Sequence, residues 1–283
     1  MILLSTGSLY TFGLSRVFGL AAEAGYEGIE IIVDQRQDTR DPTYLRRLSD
    51  EHHLPIAVLH TPFVPDIPGW PADQLGRLKH TLALARELGV GLVVAHLPFR
   101  IHGIVGHWYG LRPRRFILPI FWPLRGPYYH LLRDGALQQL EETFGVVVAV
   151  ENMPAHRFLG IPISAYWFNR PDHLTRFLHL TLDTTHLGTW GMDPVEVYGR
   201  LKDRITHVHL SNYDGKEHRL PFDGSLPLAQ LLRRMGEDGY QGTISVETDP
   251  SAMDTTDEGK ILEALRQALE FCRSHLSSST VWR

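Results

Sequence analysis

Residues 146–151 read VVVAVE, four valines and an alanine that run directly into Glu151. So short and β-branched a run reads as a buried strand, and its end is a costly place for a carboxylate unless the charge is paired or ligates something. The same ending recurs along the chain. GIEIIV (28–33) carries Glu30, IAVLH (56–60) stops at His60, and LVVAH (92–96) stops at His96. LTLDTTH (180–186) holds Asp183 and His186, ITHVHL (205–210) carries His209, and TISVE (243–247) stops at Glu247. Residues 2–6 supply an eighth strand. Packing alone does not ask for seven such ends, and their spacing suggests that one face of a barrel converges on a metal.

Helical patterns alternate with these strands. Residues 14–24 precede Gly25, a helix stop. Asp41-Pro42 reads as an N-cap followed by proline at the first helical position, opening a helix to about His53. Leu75, Leu78, Leu82 and Ala85 recur at helical spacing before Gly89, and Asp193-Pro194-Val195-Glu196 is another start. Leu228, Leu231, Leu232 and Met235 mark a further helix, and residues 257–275 the last. Strand then helix, about eight times, predicts an α/β fold with parallel strands and helical crossovers. At 283 residues the chain fits one (β/α)8 TIM barrel of about 250 residues, read as a single domain over 1–283. An open doubly wound sheet is the rival, but no glycine-rich phosphate fingerprint follows an early strand.

Composition excludes several classes of function. A net charge of −4 gives no bias toward nucleic acid or anionic membrane. No apolar run approaches the roughly 20 residues needed to span a bilayer. The N-terminus, MILLSTGSLY, lacks the basic and long apolar regions of a signal peptide and reads as a first strand. A single cysteine, Cys272, excludes an intrachain disulfide, is consistent with a reducing compartment and, with the preceding signs, predicts a cytoplasmic protein. It shares a helical face with Ile261, Leu265 and Leu269 and reads as a small core residue.

The strand–helix pattern breaks at about 99–134. Arg100, Arg112, Arg114, Arg115, Arg125 and Arg133 interleave there with Trp108, Tyr109, Phe116, Phe121, Trp122, Tyr128 and Tyr129. Following the strand that ends at His96, this basic and aromatic insertion belongs on the catalytic rim of a barrel. Pro119 and Pro123 exclude a regular helix through FILPIFWPL. A lid or pocket wall is the functional reading; a homo-oligomer contact or an extra packed element is the structural one. Tyr166-Trp167-Phe168, after the Glu151 strand, is expected to face it across the mouth.

In a parallel barrel the strand ends form one ring, so Glu151, Asp183, His209 and Glu247 offer three carboxylates and an imidazole to one ion. This mixed oxygen and nitrogen set suits Mn²⁺ or Zn²⁺, with Co²⁺ or Fe²⁺ as further candidates, better than Ca²⁺ or Mg²⁺. Three clustered carboxylates without a cation would repel one another. His207 shares a face with His209, and only one of them needs to ligate. Glu30 either orients His60 or pairs with an arginine.

GYEGIE, HTP, VVAHLP, VAVENMP, TLDTTHLG, THVHLS, HRLPFDG and ISVET, in this order and over most of the chain, resemble the xylose-isomerase-like barrel superfamily, which holds sugar isomerases and epimerases together with endonuclease IV. The resemblance implies that Glu151, Asp183, His209 and Glu247 form the shared metal site, and that His60 and His96 hold a second metal with Glu151 bridging, for one or two ions. It implies that His186 and His218 belong to a third metal in the endonuclease branch or bind substrate in the epimerase branch. There is a departure from that branch's pattern: Lys216 stands two residues before His218, where it has an aspartate ligand, and an ammonium there would repel a cation. Asp214 could take over only if its loop bends differently. Phe222 likewise occupies a usual glycine position ahead of Asp223-Gly224.

The first functional expectation is therefore a metal-dependent isomerase or epimerase of a sugar, sugar phosphate or related hydroxy-carbonyl compound. Proton transfer through a metal-stabilised enediolate would use Glu151 and Glu247 as acid and base, with His186, His218 and Glu30 toward the substrate. The alternative is metal-dependent hydrolysis of the endonuclease IV type by a metal-bound hydroxide, on a phosphodiester or a small molecule. A non-enzymatic binding barrel would leave the retained acids without a purpose.

Overall fold

A computed structural model describes residues 1–100, 102–108, 114–120 and 125–276, and for 102–108, 114–120 and Phe158 it describes the backbone. Twelve strands are named in chain order. They are β1 Ile2–Ser5, β2 Gly28–Ile32, β3 Ile56–His60, β4 Leu92–His96, β5 His102–Trp108, β6 Arg114–Ile120, β7 Val147–Glu151, β8 His156–Phe158, β9 Ile161–Ile163, β10 Leu180–Asp183, β11 Ile205–Leu210 and β12 Thr243–Val246. Eight of them close a parallel barrel in the order β1-β12-β11-β10-β7-β4-β3-β2, as the alternating pattern predicts. The helices are α1 Leu14–Ala24, α2 Pro42–His52, α3 Gln74–Leu88, α4 Pro127–Arg133, α5 Leu137–Phe144, α6 Pro171–Leu174, α7 Thr184–Trp190, α8 Pro194–Leu201, α9 Leu228–Glu237 and α10 Glu258–Leu276.

The predicted caps form. Asp41 accepts from Thr43 and Tyr44 N–H, Asp193 accepts from Val195 N–H, and Gly25 and Gly89 close α1 and α3 in the left-handed conformation. Cys272 is fully buried in the core beside Ile261, Leu265 and Leu269, as its spacing predicts.

Alternation along each barrel strand separates two cores. Ile2 and Leu4, Leu59, Val93 and Ala95, Val148 and Val150, and Ile244 and Val246 point outward and pack with the helices. Their neighbours Leu3, Val58, Leu92, Val94 and Ala149 form a smaller cluster inside the barrel. Each fully buried valine, leucine or isoleucine among them contributes about 1.5–3 kcal/mol. Gly28 is required here: a Cβ would lie 2.9 Å from Leu3 Cδ2 and 2.9 Å from Pro55 O. Two residues further along the inward face, Val58 leads to His60, Val94 to His96, and Ala149 to Glu151.

Within the 99–134 insertion, β5 and β6 form an antiparallel hairpin, with Pro119 opposite Gly103 in a strand, not a helix. The expected lid or wall role falls on side chains outside the described residues, those of Trp108, Tyr109, Arg112, Arg114, Arg115, Phe116, Phe121 and Trp122. The described flanks are anchored. Tyr128 of α4 donates its hydroxyl to His96 O at 2.7 Å. The 166–168 patch pairs directly with the start of the insertion, through a Phe99–Tyr166 bridge and Trp167 N–H donating to Pro98 O.

Candidate metal centre

All four strand ends expected to share an ion meet. Glu151, Asp183, His209 and Glu247 each place one ligand-type atom so that all four lie within 4.8 Å of one another, and all four are buried. His209 Nδ1 is 3.0 Å from Glu151 Oε1, 3.0 Å from Glu247 Oε2 and 3.7 Å from Asp183 Oδ2. Adjacent register sets this up: Asp183 pairs with His209, and His209 with Ser245, two residues short of Glu247.

Local structure aims each side chain. Asp183 caps α7 by accepting from His186 N–H through Oδ1 at 2.8 Å, which leaves Oδ2 buried and without a hydrogen-bond partner among the described residues. Asn152 clamps the Asp183 peptide from both ends, at 2.9 Å and 2.8 Å. Gly7 leaves room beside Glu247, since a Cβ there would lie 3.3 Å from Glu247 Oε1 and closer still to Ile32.

A second group lies alongside. His60 Nε2 and His96 Nε2 are each 3.4 Å from Glu151 Oε2. His60 Nδ1 is 2.8 Å from Thr61 O, a carbonyl that only accepts, so this nitrogen carries the proton and Nε2 in the neutral ring turns a lone pair toward the carboxylate. His60 Nε2, His96 Nε2 and Glu151 Oε2 are all buried without a hydrogen-bond partner among the described residues. Lone pairs facing one another in a buried site call for a proton or a cation between them. The donor chemistry fits a divalent transition metal at both groups.

A third group joins Asp183, His186 and His218 within the same 4.8 Å limit. His186 Nδ1 donates to Asn152 O at 2.8 Å. His218 holds a left-handed backbone (φ 56°) that its N–H to Thr185 Oγ1, at 3.0 Å, and its carbonyl from Asp249 N–H, at 2.7 Å, keep in place. Lys216 is exposed, and Asp214 is drawn away to Arg219 at 3.3 Å, so neither belongs to this group.

Glu30 is placed differently from expectation. Among the described residues it meets no arginine. Fully buried inside the barrel, it accepts from His209 Nε2 at 3.0 Å through Oε1, and its Oε2 lies 3.4 Å from His207 Nε2. It also groups with His60 and His209 within 4.8 Å, without a hydrogen bond to His60.

The charges sort accordingly. Burial works against ionisation of Glu30 and Glu151, but His209 and its neighbours outweigh it and hold both carboxyls well below the usual range. Glu247 moves the other way: burial raises it, helped by Glu30 and Asp183, against His209 and His218. Burial likewise opposes charge on His209, yet Glu30, Glu247 and Glu151 raise it well above an ordinary imidazole. Burial, then the charge of His60, pushes His96 down.

Three residues at the mouth were not singled out from sequence. Phe63 stacks on His60 (5.1 Å) and packs at a tilt against His96 (4.1 Å) while half exposed. Glu217 Oε2 reaches to 4.0 Å from His186 Nε2. Tyr166, noted only as part of an aromatic patch, is pushed up to about 12 by burial and then by the charges of Glu151 and Glu217, and Phe99 stacks on it at 4.8 Å. Phe63 and Glu217 follow barrel strands in loops, where no periodicity marks them, and position after the HTP or THVHLS stretch is the one available signal; Tyr166 follows the β8–β9 hairpin and bridges Phe99.

This chain belongs to the xylose isomerase-like TIM barrel family, whose model matches residues 18–275. It is 27% identical over 296 residues to an uncharacterized protein of Mycobacterium tuberculosis, covering 96% of each. It is 23% identical to an inosose dehydratase of Lacticaseibacillus casei, over 80% of this chain and 78% of that protein. A D-psicose 3-epimerase from Clostridium cellulolyticum, solved with D-tagatose, shares the fold at a TM-score of 0.67 and 13% identity, covering 98% of this chain and 99% of the other.

Proposed function

We propose that this protein is a divalent-metal-dependent isomerase or epimerase of a sugar, sugar phosphate or related hydroxy-carbonyl compound. The observation that carries the reading is the convergence of Glu151, Asp183, His209 Nδ1 and Glu247 at the carboxyl ends of the barrel strands, where barrel enzymes work. The Clostridium neighbour, named a D-psicose 3-epimerase and solved with D-tagatose, supports it, whereas the Lacticaseibacillus relative is named an inosose dehydratase, a different reaction. Those four residues would hold Mn²⁺ or Zn²⁺, and the bound ion supplies a Lewis acid that lowers the cost of negative charge on adjacent substrate oxygens.

The chain supplies the rest. Glu151 and Glu247 come from strands on either side of β11 and flank His209 Nδ1 at 3.0 Å each, so both carboxylates would border a substrate carbon held beside the ion. One carboxylate removes the proton beside the carbonyl and the other returns one, which inverts or relocates the centre. Phe63 and the Phe99–Tyr166 pair wall the mouth and restrict water, while His186 and Glu217 offer polar contacts to hydroxyls. Metal-loaded protein incubated in D₂O with a panel of ketoses and their phosphates should place deuterium beside a substrate carbonyl. Glu247→Gln should slow this by about 10²–10⁴-fold with little change in unfolding temperature. A loaded wild-type protein that exchanges nothing across the panel sinks the proposal.

The second group, His60–His96–Glu151, and the third, Asp183–His186–His218, favour a second reading, multi-cation hydrolysis of the endonuclease IV type. Cleavage of duplex DNA at an abasic site, with no deuterium exchange on sugars, would select it.

A further inference from the structure

We propose that Glu30 is the positioning residue that aims His209 at the metal, an inference that rests on the metal reading above. Imidazole carries one exchangeable proton when neutral, and only the nitrogen without it can ligate. His209 Nδ1 faces three carboxylates, at 3.0, 3.0 and 3.7 Å, which would hold the proton on that nitrogen as a hydrogen-bond donor. On its own, this surrounding favours the tautomer that cannot ligate.

Glu30 supplies the opposing pull. Its Oε1 sits 3.0 Å from His209 Nε2, and a carboxylate oxygen accepts, so the proton belongs on Nε2 and the Nδ1 lone pair is left for the ion. Glu30 reaches His209 from across the barrel: β2 and β11 are not neighbours, and β1 and β12 lie between them. Its other oxygen lies 3.4 Å from His207 Nε2, both atoms buried without a hydrogen-bond partner among the described residues, and His207 Nδ1 is bonded to Thr243 Oγ1 at 2.6 Å. His207, Glu30 and His209 thus stand in one buried row, with half-buried Thr243 at its outer end and the ligand atom at the other. This gives His207 a purpose other than ligation, and it explains why a glutamate with no access to solvent occupies β2.

The test uses Zn²⁺ alone, in competition with a chromophoric chelator, on wild type, Glu30→Gln and Glu30→Leu. Gln keeps one carbonyl acceptor and should weaken Zn²⁺ binding by about tenfold, whereas Leu removes it and should cost about a hundredfold. An independent reading comes from ¹⁵N spectra of the Zn²⁺-loaded wild type, where His209 should show a protonated Nε2 and a ligated Nδ1. A His209 protonated on Nδ1, or affinities within twofold of wild type in both variants while their unfolding temperatures fall, overturns the proposal and leaves Glu30 a packing element. Wild-type protein that takes up no Zn²⁺ overturns the metal reading, and this inference with it.

Discussion

Six of the converging side chains stand one step of strand alternation above another inward-pointing residue, and those supporting residues differ between the two sides of the barrel. Beneath His60, His96 and Glu151 lie Val58, Val94 and Ala149, all in the interior apolar cluster. Beneath Asp183, His209 and Glu247 lie Thr181, His207 and Ser245, all buried and polar. The apolar side holds its imidazoles by packing and by bonds made at the rim, such as His60 Nδ1 to Thr61 O. The polar side holds His209 through the hydrogen bond to Glu30, with His207 beneath it and 3.4 Å from the other Glu30 oxygen. Glu151 joins the two, with Oε1 toward His209 and Oε2 toward His60 and His96. One strand-end rule thus serves two kinds of support, hydrophobic burial on one side and directed hydrogen bonding on the other.

The largest effect that separates them is a charge placed in the apolar layer. Val94 is fully buried among Leu3, Val58, Leu92 and Ala149, and no cationic side chain belongs to that cluster. Val94→Asp should cost about 3 kcal/mol or more and lower the unfolding temperature by roughly 10 °C, as calorimetry of the metal-free protein would show. A loss of only a few tenths would mean that this side tolerates polar atoms as the other does, and the contrast would break.

A smaller effect belongs to the polar side alone. His209, against the cost of burial, is raised well above 6.5 by Glu30, Glu247 and Glu151. A folded value above the unfolded one contributes stability that is complete below about pH 6.5 and disappears as pH rises through the folded value. The metal-free protein should therefore lose stability from pH 7 toward pH 9, by up to about 1.4 kcal/mol per pH unit. Zn²⁺ or Mn²⁺ should flatten or reverse that slope, because ligation needs the deprotonated ring and tightens with pH. Thermal unfolding with and without chelator from pH 6 to 9 measures both, and a flat metal-free profile would leave the polar layer without its assigned electrostatics.

The split also marks what sequence can carry. Alternation fixes which residues point inward and how far up the strand they sit, so VVVAVE and TISVE could be read as strands ending in ligand-type residues, and proline–aspartate caps dated the helix starts at Pro42 and Pro194. Cross-barrel partners are another matter. Glu30 and His209 stand 179 residues apart, and their meeting depends on closure and shear, which no local pattern encodes. His60 and an arginine were the expected partners because they are near in strand order or charge. Phe63 and Glu217 sit in loops whose path is set by tertiary bonds such as His218 N–H to Thr185 Oγ1.

The smallest effect is expected where the polar layer has a member with nothing to hold. Ser245 lies between His209 in register and Glu247 along the strand, fully buried, and its Oγ has no hydrogen-bond partner among the described residues. A buried hydroxyl without a partner costs free energy, so its removal relieves a penalty that offsets the lost contacts of one atom. Ser245→Ala should change stability by no more than about 0.5 kcal/mol, in contrast to Val94→Asp. The same variant in metal-loaded protein sharpens the comparison, since a Ser245 that supports the centre through water would reveal itself there. Zn²⁺ affinity unchanged by Ser245→Ala would confine the support of His209 to the Glu30–His207 line, and a several-fold loss would extend it to the whole polar layer.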